Sequence, residues 1–251
     1  MEERRAIFGN PAVWDSIFKT YESAFLAIGD LRAIAADLIA ATRDSKQELV
    51  QVQSALTQLC SESMVDVLFL VGNKRGAGAM KIARGMFEIS VISEYLEKNP
   101  SEVHDYLQFG SVEALRHMQT VEKYSPSRVS PELMKQAEAE YDQMKQKFTN
   151  AKGSVQRRWT SKSLKQMAEE VGWLNLYEMA YGPASELHHM PFTGIIAHEL
   201  NWSKAALYTA HGALMGTTLS LFKLNHDVGA ELKNRMKKAI ADFKYTQKQP
   251  Q

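Results

Sequence analysis

Apolar residues recur every three or four positions along nearly the whole chain. In "PAVWDSIFKTYESAFLAIGDLRAIAADLIAAT", Val13, Ile17, Tyr21, Ala24, Phe25, Ile28, Leu31 and Leu38 fall on one stripe, the spacing of an amphipathic helix rather than of an alternating strand. Gly29 is the position where this helix is expected to bend. Asp44 or Ser45 is placed to cap a second long helix reaching about Val71, with Val52, Leu56, Leu59, Met64, Leu68 and Phe69 on its apolar side. The two predict a long antiparallel pair at the N-terminus.

The loop "VGNKRGAG" precedes a third helix from about Ala77 to Lys98, and Asn99, Pro100 and Ser101 stop it. A less apolar helix over about Glu102 to Tyr124 leaves His104, Arg116 and His117 available to solvent. Ser130 and Pro131 fit an N-cap and first helical position, opening a polar helix to Phe148. Thr149 to Leu164 reads as a connector or inserted hairpin, and a short helix follows near Ser163 to Glu170. A strongly apolar helix, "SKAALYTAHGALMGTTLSLFKLN", and an amphipathic one over about Asp227 to Phe243 complete the chain. The expected fold is all-α, an irregular bundle of about seven to nine helices. It is read as one domain over 1–251 with 129–165 as a polar basic excursion; a division into 1–128 and 129–251 is the alternative, weakened because the first helical pair lacks a third wall.

Length and charge sharpen this picture. A chain of 251 residues buries a sizeable core without staples. Its one cysteine, Cys60, excludes an internal disulfide framework. No uncharged apolar span of about 20 residues is evident, and the start lacks a secretory pattern, so the expectation is a cytoplasmic protein without a membrane partner. The net charge of +1 conceals two basic blocks. Lys145, Lys147, Lys152, Arg157, Arg158, Lys162 and Lys165 occur between Gln143 and Ala168 without one acid, and six bases face Asp242 alone in the last twenty residues. The first block is a candidate surface for an RNA or DNA backbone, read by charge rather than base sequence. A solvated helix face explains the same residues, and only Trp159 is interleaved with them as a stacking ring.

The stretch "LYEMAYGPASELHHM" sets Tyr177, Tyr181, Ser185 and His189 four apart, a slowly rotating seam on a helix that Gly182 and Pro183 interrupt. In "MKIARGMFEISVISEYL", Arg84 and Glu88 stand four apart among apolar neighbours. Drawn inward, each charge needs the other or a polar group from a second helix. Two readings stay open: a polar seam that satisfies buried groups, or an acid–base or anion site.

Arg84-x-x-x-Glu88 on an apolar helix, followed by Tyr177, Tyr181, Ser185 and His189, resembles the bacterial helical family of unknown function DUF5677 over about Gly72 to Leu224. The resemblance implies an all-α fold and a shared polar site on Arg84, Glu88, Tyr181, Ser185 and His189, with Tyr177 less surely placed. It brings no activity. His188 beside His189 leaves the register open by one residue, and "GPAS" replaces the continuous polar helix expected there.

Three chemistries are weighed on these residues. In phosphodiester cleavage similar to that of small helical ribonucleases, Arg84 stabilises phosphate charge, His189 or His188 moves a proton, and Tyr181, Ser185 and Glu88 orient. The spacing of Arg and His on one helix in such nucleases is absent, so the site must form across helices. The likeness to those scaffolds implies a setting in phage defence or nucleic-acid metabolism. For metal hydrolysis, His188, His189, His198, Glu199 and Glu186 offer ligands, but adjacent histidines diverge on a helix and "HHMPFTGIIAHE" matches no short zinc motif; no metal ligand is assigned. A Ser185 nucleophile lacks a strained turn and an oxyanion hole. "GNKRGAGAMK" offers a helix N-terminus for phosphate without the spacing of a nucleotide loop. His211 reads as a satisfied core histidine or a packing contact among small residues, and no cofactor is implied. The rival reading is a non-catalytic module, forming a homodimer or docking on nucleic acid, in which the Arg, Glu, Tyr, Ser and His residues are structural. Whether the chain is an enzyme stays open.

Overall fold

The computed structural model describes residues 10–126, 128–182, 202–225 and 228–248. The described residues form nine helices and no strand: α1 Pro11–Thr42, α2 Glu48–Gly72, α3 Gly76–Lys98, α4 Val103–Tyr124, α5 Pro131–Met144, α6 Leu164–Val171, α7 Leu174–Leu176, α8 Trp202–Leu224 and α9 Ala230–Lys248. A 3₁₀ turn, Pro100–Glu102, precedes α4, and a π-turn, Tyr177–Tyr181, follows α7. The all-α expectation therefore holds.

Local chemistry sets the ends. Asn10 accepts from the Ala12 amide and Ser130 from the Leu133 amide, each one residue before a proline, which loses nothing at a position whose N–H has no helical partner. The second helix is not capped by Asp44 or Ser45. Its N-cap is Gln47, while the Ser45 hydroxyl accepts from the Gln47 amide outside the helix. Nor does Gly29 bend α1: the departure is at Tyr21, φ −119° and ψ 23°.

The chain divides into two compact units, 1–98 with 164–251, and 99–163. In the first unit, α8 is the central element, packed against α1, α2 and α3 and buried nearly all round, as a helix apolar on every side requires. Its core joins Ile28, Leu31, Leu38, Met64, Val67, Met80, Met86, Leu207 and Leu214. Gln53, Ser93, Thr57 and Thr217 stitch this core with polar contacts. The Gln53 amide nitrogen donates to the Ser93 carbonyl (2.7 Å), the Ser93 hydroxyl returns to Gln53 Oε1 (2.5 Å), and the Thr57 hydroxyl reaches the Gln53 and Thr217 carbonyls. These satisfied groups fix the register of α2 against α3 and α8. Cys60 is buried and free beside them, its thiol pushed up to about 12 by burial. Among the described residues α2 is the one helix long and apolar enough to cross a membrane; it carries Glu62 and Asp66, so it is not an uncharged span, and its inner face packs on α1, α3 and α8.

In the second unit, α4 and α5 enclose Phe109, Val112 and Phe148. Residues Phe148 to Gln156 make a small hairpin through the Thr149–Val155 bridge and the Gln156 amide on the Phe148 carbonyl. Arg116, expected to face solvent, is half-buried and donates to the carbonyls of Val155 and Gln156.

Candidate functional site

Helix α3 runs parallel to α8, with Gly76 beside Ser203, Ser90 beside Gly216, and Glu97 paired to Lys223 at 2.8 Å. Glycine is required at both crossings. A Cβ on Gly76 would collide with the Ser203 backbone nitrogen; one on Gly216 would land on the Ser90 hydroxyl, 2.6 Å from Glu94 Oε1 and 3.0 Å from Trp173. These close approaches leave the next face of α3, carrying Arg84, Phe87, Glu88 and Glu94, for the segment that runs back along it from α6.

That segment is an aromatic ridge. Phe87 lies 5.7 Å from Trp173, 6.4 Å from Tyr177 and 5.8 Å from Tyr181 between ring centroids, distances at which offset or tilted aromatic pairs attract. Between Tyr177 and Tyr181 the helix widens to a π-turn. The two phenol rings consequently stack at 4.9 Å and 21°. Such wide turns are costly and recur where a side chain must be re-aimed, often at functional sites. Here the re-aimed group is the Tyr181 hydroxyl, which accepts from Arg84 Nη2 at 2.7 Å.

Arg84 also pairs with Glu88 at 3.1 Å and lies 4.6 Å above the Tyr181 ring. Glu88 and the Tyr181 hydroxyl are hydrogen-bonded to each other, closing a cation, phenol and carboxylate triangle. Burial raises the Tyr181 pKa, opposed by the Arg84 hydrogen bond and reinforced by Glu88. The phenol thus stays a proton donor at neutral pH, poised between a cation and a carboxylate. Arg84 Nε is buried without a hydrogen-bond partner among the described residues.

The other end of the ridge holds a group that sequence reasoning missed. Glu94, half-buried on α3, accepts from the Trp173 indole and sits on the gap left by Gly216. Burial drives its carboxyl from the usual 4.5 up to about 7, with Lys223 and Lys98 pulling it down and Glu97 pushing it up. The Ser90 hydroxyl beside it is fully buried and without a partner among the described residues. The signal was available: Phe87, Val91 and Glu94 share one apolar stripe, so Glu94 was an acid at a core position.

The remaining expectations divide three ways. Arg84, Glu88, Tyr177 and Tyr181 come together as one cluster. Ser185, His188, His189, His198, Glu186 and Glu199 lie outside the described residues. Among the described residues no group of three or more His, Cys, Asp or Glu side chains is placed to hold a metal ion. His211 is buried but not satisfied: neither ring nitrogen finds a partner among the described residues, its ring packs edge-on against Phe243 at 4.8 Å, and burial lowers its pKa to about 4.

The basic block is less uniform than its sequence. Lys145 pairs with Asp142 at 2.7 Å, Lys147 with Asp105 and Gln108, and Lys165, which belongs to the first unit, with Glu178 at 2.6 Å. Trp159 packs edge-on against Tyr106 at 5.4 Å. Lys152, Arg157 and Arg158 are exposed on the second unit.

Neither the curated proteins nor the solved structures include a match to this chain. Comparison with protein families matches residues 52–203 to the family of unknown function DUF5677. The match starts earlier than Gly72 and stops at the first turn of α8, taking in α3, the ridge and the whole second unit. Spanning more than half of the chain, it makes the protein a member of DUF5677.

Proposed function

We infer that the strip between α3 and the aromatic ridge is a phosphodiester-acting site on nucleic acid. The observation that carries this reading is the π-turn that delivers the Tyr181 hydroxyl to Arg84, directly before the segment containing Ser185, His188 and His189. Widened turns of this kind recur at functional sites, and this one both seats the two phenol rings on Phe87 and brings the Tyr181 hydroxyl to Arg84. In this reading Arg84 stabilises charge developing on a phosphate oxygen, as a preorganised donor does in a water-poor site. His189 transfers the proton to or from the reacting oxygen, with His188 in reserve; Tyr181, Ser185 and Glu88 orient the participants. Tyr177 holds Tyr181 by stacking. Exposed Lys152, Arg157 and Arg158 support contact with a phosphate backbone from the second unit, without base specificity.

A second reading has its own support. Arg84 already has two partners, Tyr181 and Glu88, which favours a lock that fastens the ridge to α3. The two separate in one experiment: labelled RNA and single-stranded DNA are incubated with the purified full chain, with and without a chelator, beside His189→Ala of unchanged helicity. The inferred function predicts products from the native chain, none from the variant, and persistence in chelator. Absence of products under every condition refutes it, and loss of products in chelator transfers the chemistry to a metal.

A further inference from the structure

Trp173 is the residue on which the ridge turns. Gly172 before it has a φ of 88°, the left-handed region that favours glycine. The Trp173 amide donates to the Ala168 carbonyl at 2.6 Å, just beyond the end of α6, and the Tyr177 amide donates to the Trp173 carbonyl at 2.9 Å, where the π-turn opens. The Trp173 ring packs on Phe87, the same ring that carries Tyr177 and Tyr181. Its indole N–H donates to the Glu94 carboxyl on α3. A displacement of Trp173 is therefore passed to Tyr177 and Tyr181 through both backbone and rings. The ion pair of Lys165 and Glu178, both more than half exposed, adds little to hold the ridge in place.

Glu94 sits where α3 and α8 approach too closely for water. A Cβ on Gly216 would stand 2.6 Å from Glu94 Oε1, 2.4 Å from the Ser90 hydroxyl and 3.0 Å from the Trp173 ring, so not even a methyl group fits between them. A neutral carboxyl suits this place. It accepts from the indole, and the Ser90 hydroxyl, fully buried and unpartnered among the described residues, leaves an oxygen beside it for the carboxyl proton. An ionised carboxyl does not suit it. A carboxylate offers about four acceptor sites, and the crossing supplies at most two donors, the indole and Ser90. The charged groups that act on Glu94 are Lys223 on α8 and Glu97 and Lys98 on α3; from the ridge it meets the uncharged indole. Both bases are engaged elsewhere: Lys223 is paired with Glu97 at 2.8 Å, and Lys98 donates to the Glu170 carbonyl at 3.0 Å. Both are also exposed, so an ionised Glu94 reaches them and water only by swinging outward, away from the indole.

We propose that Glu94 is a positioning residue that works as a proton-operated latch: neutral, it holds Trp173 and keeps the π-turn where the Tyr181 hydroxyl meets Arg84; ionised, it turns out toward Lys98 and Lys223 and frees the ridge. This regulation belongs to the phosphodiester-acting site inferred on the same strip and rests on that reading. Its sign follows from burial. The carboxyl is held up at about 7 in place, against 4.5 ordinarily, so the ridge is fastened below about pH 7 and loosens as pH rises through it.

The first arm of the test needs no substrate. Amide hydrogen exchange of the full chain, read on the peptide 173–182 and corrected for the intrinsic rate, is followed from pH 6 to pH 8. Beside it runs Glu94→Gln, which keeps an acceptor for the indole and has no proton to lose. In the native chain, ridge exchange should rise about tenfold over this range, the linkage expected for a carboxyl at about 7 in place and 4.5 when released. It should stay faster than exchange in α8, because the ridge opens without the whole fold, and the rise should be absent from the variant. A native ridge indifferent to pH overturns the latch, as does an equal rise in the variant or a ridge that exchanges no faster than α8. The second arm is cleavage of labelled RNA and single-stranded DNA by both proteins. The ratio of variant to native rate should climb about tenfold from pH 6 to pH 8, as the neutral fraction of Glu94 falls, while the other titrating groups cancel. A constant ratio with cleavage present overturns the latch as a control of the site. The expected exchange with no cleavage by either protein supports the latch and refutes the phosphodiester reading alone.

Discussion

Replacing Glu94 by Gln tests whether the ridge is seated on a carboxyl that prefers its proton. In the folded chain this group ionises near 7, against 4.5 ordinarily, chiefly because it is buried against Gly216 and Trp173. A carboxyl whose folded pKa is raised binds its proton more tightly in the native state, so native stability falls as pH rises through the interval between the two values. Below 4.5 both states are neutral and nothing is lost; above 7 the loss is complete. At about 1.4 kcal/mol per pH decade, the loss reaches up to about 3 kcal/mol. Lys223 and Lys98 already oppose the shift, so that figure includes their help. Gln keeps the shape and an acceptor for the Trp173 indole but has no charge to bury. Urea unfolding of both proteins between pH 4 and pH 8.5 isolates the effect, because every other titrating group cancels in the difference. The variant should match the native chain within about 1 kcal/mol at pH 4, the scale of one exchanged hydrogen bond, and exceed it by up to about 3 kcal/mol at pH 8. A difference that is flat with pH, or that favours the native chain at high pH, refutes the assignment of Glu94 as a buried acid.

Other predictions concern packing and charge. Gly216→Ala gains about 1 kcal/mol of helix propensity but forces a methyl onto Ser90 and Glu94, which costs about 1–3 kcal/mol; net destabilisation in urea is expected. Gly85→Ala is its control, since a Cβ there meets nothing within 4 Å, and should stabilise by about 0.5–1 kcal/mol. The double charge reversal Arg157→Glu, Arg158→Glu should weaken binding of single-stranded nucleic acid and lower the salt slope by about 1.4, two phosphate contacts at about 0.7 each. An unchanged slope in a fluorescence titration would remove these two residues from the interface.

Periodicity made most of the fold legible. Pro11–Thr42 and the Ser130–Pro131 helix start were readable because apolar spacing and capping act locally. The bend at Tyr21 was not, because a glycine permits a bend without requiring one. The site was legible in part for a similar reason. Arg84 and Glu88 stand one turn apart and Tyr177 and Tyr181 nominally so, and their meeting followed from the need of half-buried charges for partners. The π-turn depends on how the ridge packs on Phe87, a contact across about ninety residues that no local pattern encodes. Glu94 and Gly216 are separated by more still, and only the parallel crossing of α3 and α8 makes a pair of them. Counting lysines overstated the basic block for a different reason: composition does not reveal that Asp142, Asp105 and Glu178 already pair with Lys145, Lys147 and Lys165.

The central claim is that Arg84 serves chemistry as well as holding the ridge. Arg84→Gln, assayed for cleavage of labelled RNA and single-stranded DNA and for urea stability in the same preparation, tests it most directly. If Arg84 stabilises charge on a reacting phosphate, cleavage should fall by about 100-fold or more, while stability drops by no more than about 2 kcal/mol for its hydrogen bonds to Tyr181 and Glu88. Retained cleavage, or a fall no larger than the unfolded fraction explains, would contradict the claim and leave Arg84 as the fastening of the ridge to α3.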